Sequence, residues 1–193
     1  MKAFCDMELE LTDKLQAIYD QMCENEEARQ SWENIPLAKE ALQLMRENAL
    51  IGDNDFMKEF CETIVEEEIL SESNTQRLLL AFMDLYHILD GKDTRFGKDI
   101  DRLRQLIDPQ IHEEEKLTLI QERGRLLYDP VQLTEAWEEN IYEVEKELGE
   151  KYKNTKRYRG FCHEFWASKK AALARRGIRW KSPGIMNPRV KFD

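Results

Sequence analysis

The chain has 193 residues, with 39 Asp or Glu against 29 Lys or Arg, a formal net charge of −10, and charged residues at 35% where about 25% is usual. Only 8 Gly and 5 Pro punctuate it, too few for the turns of an all-β sandwich or barrel, while 41% hydrophobic residues are too many for disorder throughout. The longest apolar run is Leu78 to Met83 and the N-terminus turns acidic at Asp6, so neither a membrane span nor a signal peptide is expected.

Apolar residues three and four apart then recur from end to end, the period of helices packed on one side. Leu11, Leu15, Ile18, Tyr19 and Met22 form the face of a first helix, and Asn34 ahead of Ile35-Pro36 opens a second carrying Leu37, Ala41, Leu44 and Met45. Asp53-Asn54-Asp55 caps a third with Phe56, Phe60, Ile64 and Ile69, which ends at Ser71. Ser73-Asn74-Thr75 launches a fourth that reaches Asp90-Gly91 and is apolar almost all round, from Leu78 to Leu89, as a core helix would be. After a Gly- and Asp-rich loop, a short helix runs through Ile100, Leu103 and Ile107, and Asp108-Pro109 and Asp129-Pro130 read as the starts of two more. The cleanest repeat is Leu133 or Thr134, Trp137, Ile141, Val144 and Leu148, a long helix from Pro130 to Gly149. A last helix, about Lys156 to Arg176, presents Tyr158, Phe161, Phe165 and Leu173 as its apolar side and stops at Gly177.

Residues 178–193 carry Pro183, Gly184 and Asn187-Pro188, which oppose regular structure, yet Ile178, Trp180, Ile185, Met186, Val190 and Phe192 are too apolar for a solvated tail. The tail is expected to dock, on its own helical body or in a partner groove. The fold expected is all-α, a bundle of six to eight mostly antiparallel helices with an irregular docked C-terminal tail. Cys5, Cys23, Cys61 and Cys162 share no short spacing and read as free thiols, which fits a cytoplasmic protein.

Charge is distributed unevenly. Residues 1–150 hold 16 Lys or Arg against 37 Asp or Glu, net −21, and residues 151–193 hold 13 against 2, net +11. Two regions are therefore expected, an acidic helical bundle over 1–150 and a basic helix with extended tail over 151–193, packed on or extending the same domain. Basic residues interleaved with aromatics suit a phosphate backbone and its bases. The leading reading is a non-catalytic binding or regulatory protein. In it Lys156, Arg157, Arg159, Lys169, Lys170, Arg175, Arg176, Arg179 and Lys181 contact a polyanion, nucleic acid first, or an acidic protein surface. No cofactor is called for. Packing of the basic segment on the acidic body, which leaves a purely structural scaffold, is the competing account.

A second alternative is enzymatic. Glu59 and Glu62, one helical turn apart, face Asp84, His87 and Asp90 if the third and fourth helices pair, and carboxylate pairs on facing helices hold magnesium in all-α pyrophosphate and phosphoester hydrolases. The histidine suits magnesium poorly. The runs Glu66-Glu67-Glu68 and Glu113-Glu114-Glu115 point about 100° apart from residue to residue and read as solvated faces. His112-Glu113 and His163-Glu164 lack the second histidine of a zinc protease motif, having Lys116 and Ala167 in its place, and no phosphate loop, dinucleotide glycine cluster or Gly-x-Ser-x-Gly occurs.

Overall fold

Every regular element among the described residues is helical. The computed structural model describes residues 2–49, 54–66, 70, 75–91, 95–121 and 126–192. Its helices are α1 (Lys2–Glu27), α2 (Asn34–Asn48), α3 (Asn54–Glu66), α4 (Gln76–Asp90), α5 (Gly97–Ile107), α6 (Glu113–Gln121), α7 (Glu135–Tyr152), α8 (Phe161–Arg175) and the single turn α9 (Pro183–Met186), with short 3₁₀ turns at Ser31–Glu33 and Pro130–Leu133. The chain is thus all-α, as its periodicity predicts, and no described helix is long and apolar enough to cross a membrane. Contacts divide it into two compact units, residues 1–101 and 102–193, with the division inside α5. The cut that charge suggests, at Gly149, falls instead within α7 of the second unit.

In the first unit α1 packs on α2, and α3 packs along α4. The predicted face of α1 is buried through Leu11, Leu15, Ile18 and Met22, against a core that includes Ile35, Met45, Met57, Phe60, Ile64 and Phe82. The corner between α1 and α2 is held by Asn34, fully buried, whose amide donates to the Met22 carbonyl (3.3 Å) and Glu26 Oε1 (2.9 Å) and whose oxygen accepts from Asn25 (2.9 Å). Buried amides are stable only when satisfied in this way. α4 is less uniformly buried than predicted, because Ile88 in its last turn is 71% exposed. The cap residues Asp53, Ser73 and Asn74, and Ile69 and the expected helix end at Ser71, lie outside the described residues.

The second unit is built on α7. Trp137, Ile141, Val144 and Leu148 are buried along one stripe, facing Ala172 and Leu173 of α8. Three local expectations need correction. Asp129-Pro130 opens a 3₁₀ turn, and α7 starts only at Thr134, whose hydroxyl caps it by accepting from the Trp137 N–H (3.3 Å). Gly149 does not end the helix, which continues to Tyr152 because that ring packs on Phe161 and Phe165 at 5.1 and 5.8 Å. Asp108-Pro109 starts no helix, since the Asp108 carboxylate accepts from the Gln110 N–H (2.8 Å) and closes a turn ahead of α6.

The stop at Gly177 holds as expected. Gly177 sits at φ +78°, its N–H donates to Ala174 O (3.1 Å), and the Ile178 N–H donates to Leu173 O (3.0 Å), the paired bonds of a Schellman cap. The tail then docks on its own unit. Ile178 and Trp180 are buried, the Lys181 N–H donates to the buried Asp129 carboxylate, and the Asn187 amide brackets the backbone of Leu127 with bonds of 2.9 and 2.7 Å. Pro183 nucleates one helical turn where no regular structure was expected, its fixed φ fitting the first position of a helix.

Candidate nucleic-acid interface

The nine basic residues singled out by charge separate into two groups. Lys169 is buried, because Phe165, Lys169, Ala172 and Leu173 share the inward face of α8. Its ammonium bonds the buried Glu145 carboxylate of α7 and lies 5.2 and 5.4 Å from the ring centroids of Trp137 and Trp180. Arg175 and Arg176 both bond Glu147, the latter at 3.3 Å, and Lys181 bonds Glu113 at 2.9 Å. These pairs bias both partners. Burial tends to raise the Glu147 pKa, but the bonds from Arg175 and Arg176 outweigh it and leave the carboxyl below its usual range. The bond to Glu113 pushes the Lys181 ammonium up. Lys169, Arg175, Arg176 and Lys181 therefore neutralise glutamates of their own unit, and as a phosphate contact Lys169 is withdrawn from solvent altogether.

Lys156, Arg157, Arg159, Lys170 and Arg179 are exposed. Lys156, Arg157, Lys170 and Arg179 meet no carboxylate among the described residues. The densest part runs from the last turn of α7 to the start of α8, where Lys151, Lys153, Lys156, Arg157 and Arg159 stand within nine residues that contain no acidic residue. The last helix was expected to cover this stretch from Lys156, but α8 begins only at Phe161, after Gly160 at φ +86°. Residues 155–158 consequently have no regular structure, and Tyr158 is not a core residue of a helix face but 55% exposed. Its hydroxyl donates to the Glu164 carboxylate and its ring meets Phe161 edge to face at 5.8 Å. That hydrogen bond, with burial second, raises the Tyr158 pKa.

Tyr158 is the surface residue that sequence reasoning missed. The signal was the Arg159-Gly160 pair, since glycine two residues after Tyr158 fits a turn better than a helix interior. Counting by unit, the first holds 10 Lys or Arg against 24 Asp or Glu, net −14, and the second holds 19 against 15, net +4.

The residues of the enzymatic alternative do not assemble. α3 and α4 pair as required, but among the described residues no group of three or more His, Cys, Asp or Glu is placed to hold a metal ion. Arg95 takes Glu62 and Glu66 at 2.6 Å each, and Lys58 approaches Asp90 at 3.4 Å, so two of the four proposed carboxylates, Glu62 and Asp90, face cations of the chain itself. Glu59 and His87 are exposed, and Asp84 is half-buried. No protein-family model matches the chain, and neither the curated proteins nor the solved structures contain a significant match to it.

Proposed function

We propose that the protein is a non-catalytic cytoplasmic binding protein that holds nucleic acid through the exposed basic segment between α7 and α8, with Lys170 and Arg179 as further phosphate contacts. The observation that supports this reading is the exposure of Lys156, Arg157 and Arg159 in a stretch without acidic residues, in a unit where four other cations are matched to glutamates. Lys156 and Arg157, which meet no carboxylate among the described residues, keep their attraction for phosphates and the counterion release that accompanies it. Cys23, Cys61 and Cys162 are free thiols, in keeping with a reducing compartment.

The test is anisotropy of labelled single- and double-stranded DNA with the full-length protein across a salt series. A K156E/R157E/R159E variant should abolish binding, and the wild-type slope of log K on log salt should include a contribution of about −2 from these three contacts on a single strand. An R175Q/R176Q variant should bind within about twofold of wild type, because Glu147 already holds both guanidinium groups. Salt-independent binding, or unchanged affinity in the triple variant, overturns the proposal. Competition by polyglutamate at equal charge concentration assigns the surface to an acidic protein instead.

A further inference from the structure

We infer that the nucleic acid is single-stranded and that Tyr158 is the platform on which one of its bases stacks. This rests on the nucleic-acid reading above and adds the class of strand. The other aromatics of the region turn inward. Tyr152, Phe161 and Phe165 pack on one another at centroid distances of 5.1 to 6.2 Å, and each is half-buried. Tyr158 touches that cluster at one edge only and leaves 55% of its surface to solvent.

The ring is nevertheless held. The hydroxyl is tethered to Glu164, Phe161 braces the ring at an interplanar angle of 76°, and the Phe161 N–H donates to the Tyr158 carbonyl (2.9 Å) to close the turn at Gly160. An aromatic ring already fixed in place loses little freedom when a base settles on it. Exposed cations stand at sequence positions on either side, Lys156 and Arg157 before it and Arg159 after it, an order that matches phosphates flanking a base along a strand. Glu164 repels phosphate from the hydroxyl edge and so favours the base, not the backbone, over the ring.

A duplex hides the faces of its bases, whereas a single strand offers them to every aromatic it meets. On a duplex Tyr158 would contribute nothing beyond its bulk. An acidic polypeptide has no face to stack. The ring is therefore what separates a single strand from other polyanions at this surface, and the cations alone would not discriminate.

Full-length wild type, Y158L, Y158W and K156E/R157E/R159E are compared by anisotropy on fluorescein-labelled oligo(dT) and on a hairpin duplex of equal charge, with thermal melts to establish that each variant is folded. Tyr158→Leu should lower affinity for the strand by roughly 5- to 100-fold, the effect of removing one base–aromatic stack, with the salt slope and duplex affinity unchanged. Tyr158→Trp should restore strand binding. If Y158L binds the strand within about twofold of wild type while the triple variant does not bind, stacking is refuted and the nucleic-acid reading stands. If Y158L loses strand and duplex equally, the ring is structural and the inference is overturned. If wild type binds neither, both readings fall.

Discussion

Lys169 is the clearest place to test the energetics of the second unit. Its ammonium is buried with Glu145 and bracketed by Trp137 and Trp180, so replacing it by Met keeps the bulk of the stem while stranding a carboxylate in the core. Removing one partner of a buried pair costs about 3–5 kcal/mol, a large fraction of the roughly 5–15 kcal/mol that holds a domain together. Glu145→Leu should cost less, because the two cation–π contacts remain and are worth about 0.5–2 kcal/mol each. The double variant E145L/K169M removes both charges, leaves neither unpaired, and should lie within about 1 kcal/mol of wild type. Urea unfolding of the full-length protein read by tryptophan fluorescence gives all four corners of this cycle, since Trp137, Trp166 and Trp180 all belong to the second unit. The reasoning is refuted if K169M unfolds within about 1 kcal/mol of wild type, or if the two single losses add in the double variant.

Three further predictions concern other sites. Arg29 follows α1 at φ +57°, a conformation that costs residues with a β-carbon, so Arg29→Gly should stabilise the protein by roughly 0.5–1 kcal/mol in urea unfolding, and a loss of stability would contradict this reading. Burial pushes the Cys61 thiol up to about 12 from 9.0, with the Glu62 charge adding to the effect. The folded state prefers the neutral thiol, so this contribution is intact below pH 9 and lost as pH rises towards 12. The stability lost between pH 8 and pH 10 should be smaller by about 1.4 kcal/mol in Cys61→Ala than in wild type, and equal losses would discount the buried thiol. Glu147 has the opposite sign. Its depressed pKa makes its contribution present above 4.5 and lost as pH falls below that value, so Glu147→Gln should flatten the acid limb of the stability curve, and superimposable acid limbs would exclude the Arg175 and Arg176 bonds as its source.

Helices such as α1 and α7 were legible because each has one buried stripe, and a stripe shows as period. Leu11, Leu15, Ile18 and Met22 could be named as core from spacing alone, and so could Trp137, Ile141, Val144 and Leu148. Boundaries were legible only where local chemistry met no opposition. Gly177 stops α8 because its left-handed conformation satisfies the last carbonyls with nothing competing for the turn. Gly149 does not stop α7, because a glycine inside a helix costs only about 1 kcal/mol and the packing of Tyr152 beyond it outweighs that. Tertiary contacts decided the second case, and no local reading of the Gly149 neighbourhood contains them.

The candidate surface was harder to read for a related reason. A count of charges treats every cation as equivalent, yet the period that identifies core residues also decides which cations reach solvent. Lys169 lies four residues after Phe165 and four before Leu173, on the buried face of α8, and that spacing alone predicts its withdrawal. Arg175 and Arg176 could not be sorted in this way, since their neutralisation depends on Glu147 lying across the α7–α8 contact, 28 and 29 residues away in sequence. Lys156 and Arg157, in the segment from Lys151 to Arg159, escape both effects. The segment holds no acidic residue of its own and all five of its cations are exposed, so of the +11 carried by residues 151–193 it is the densest part on which the proposed strand contact rests.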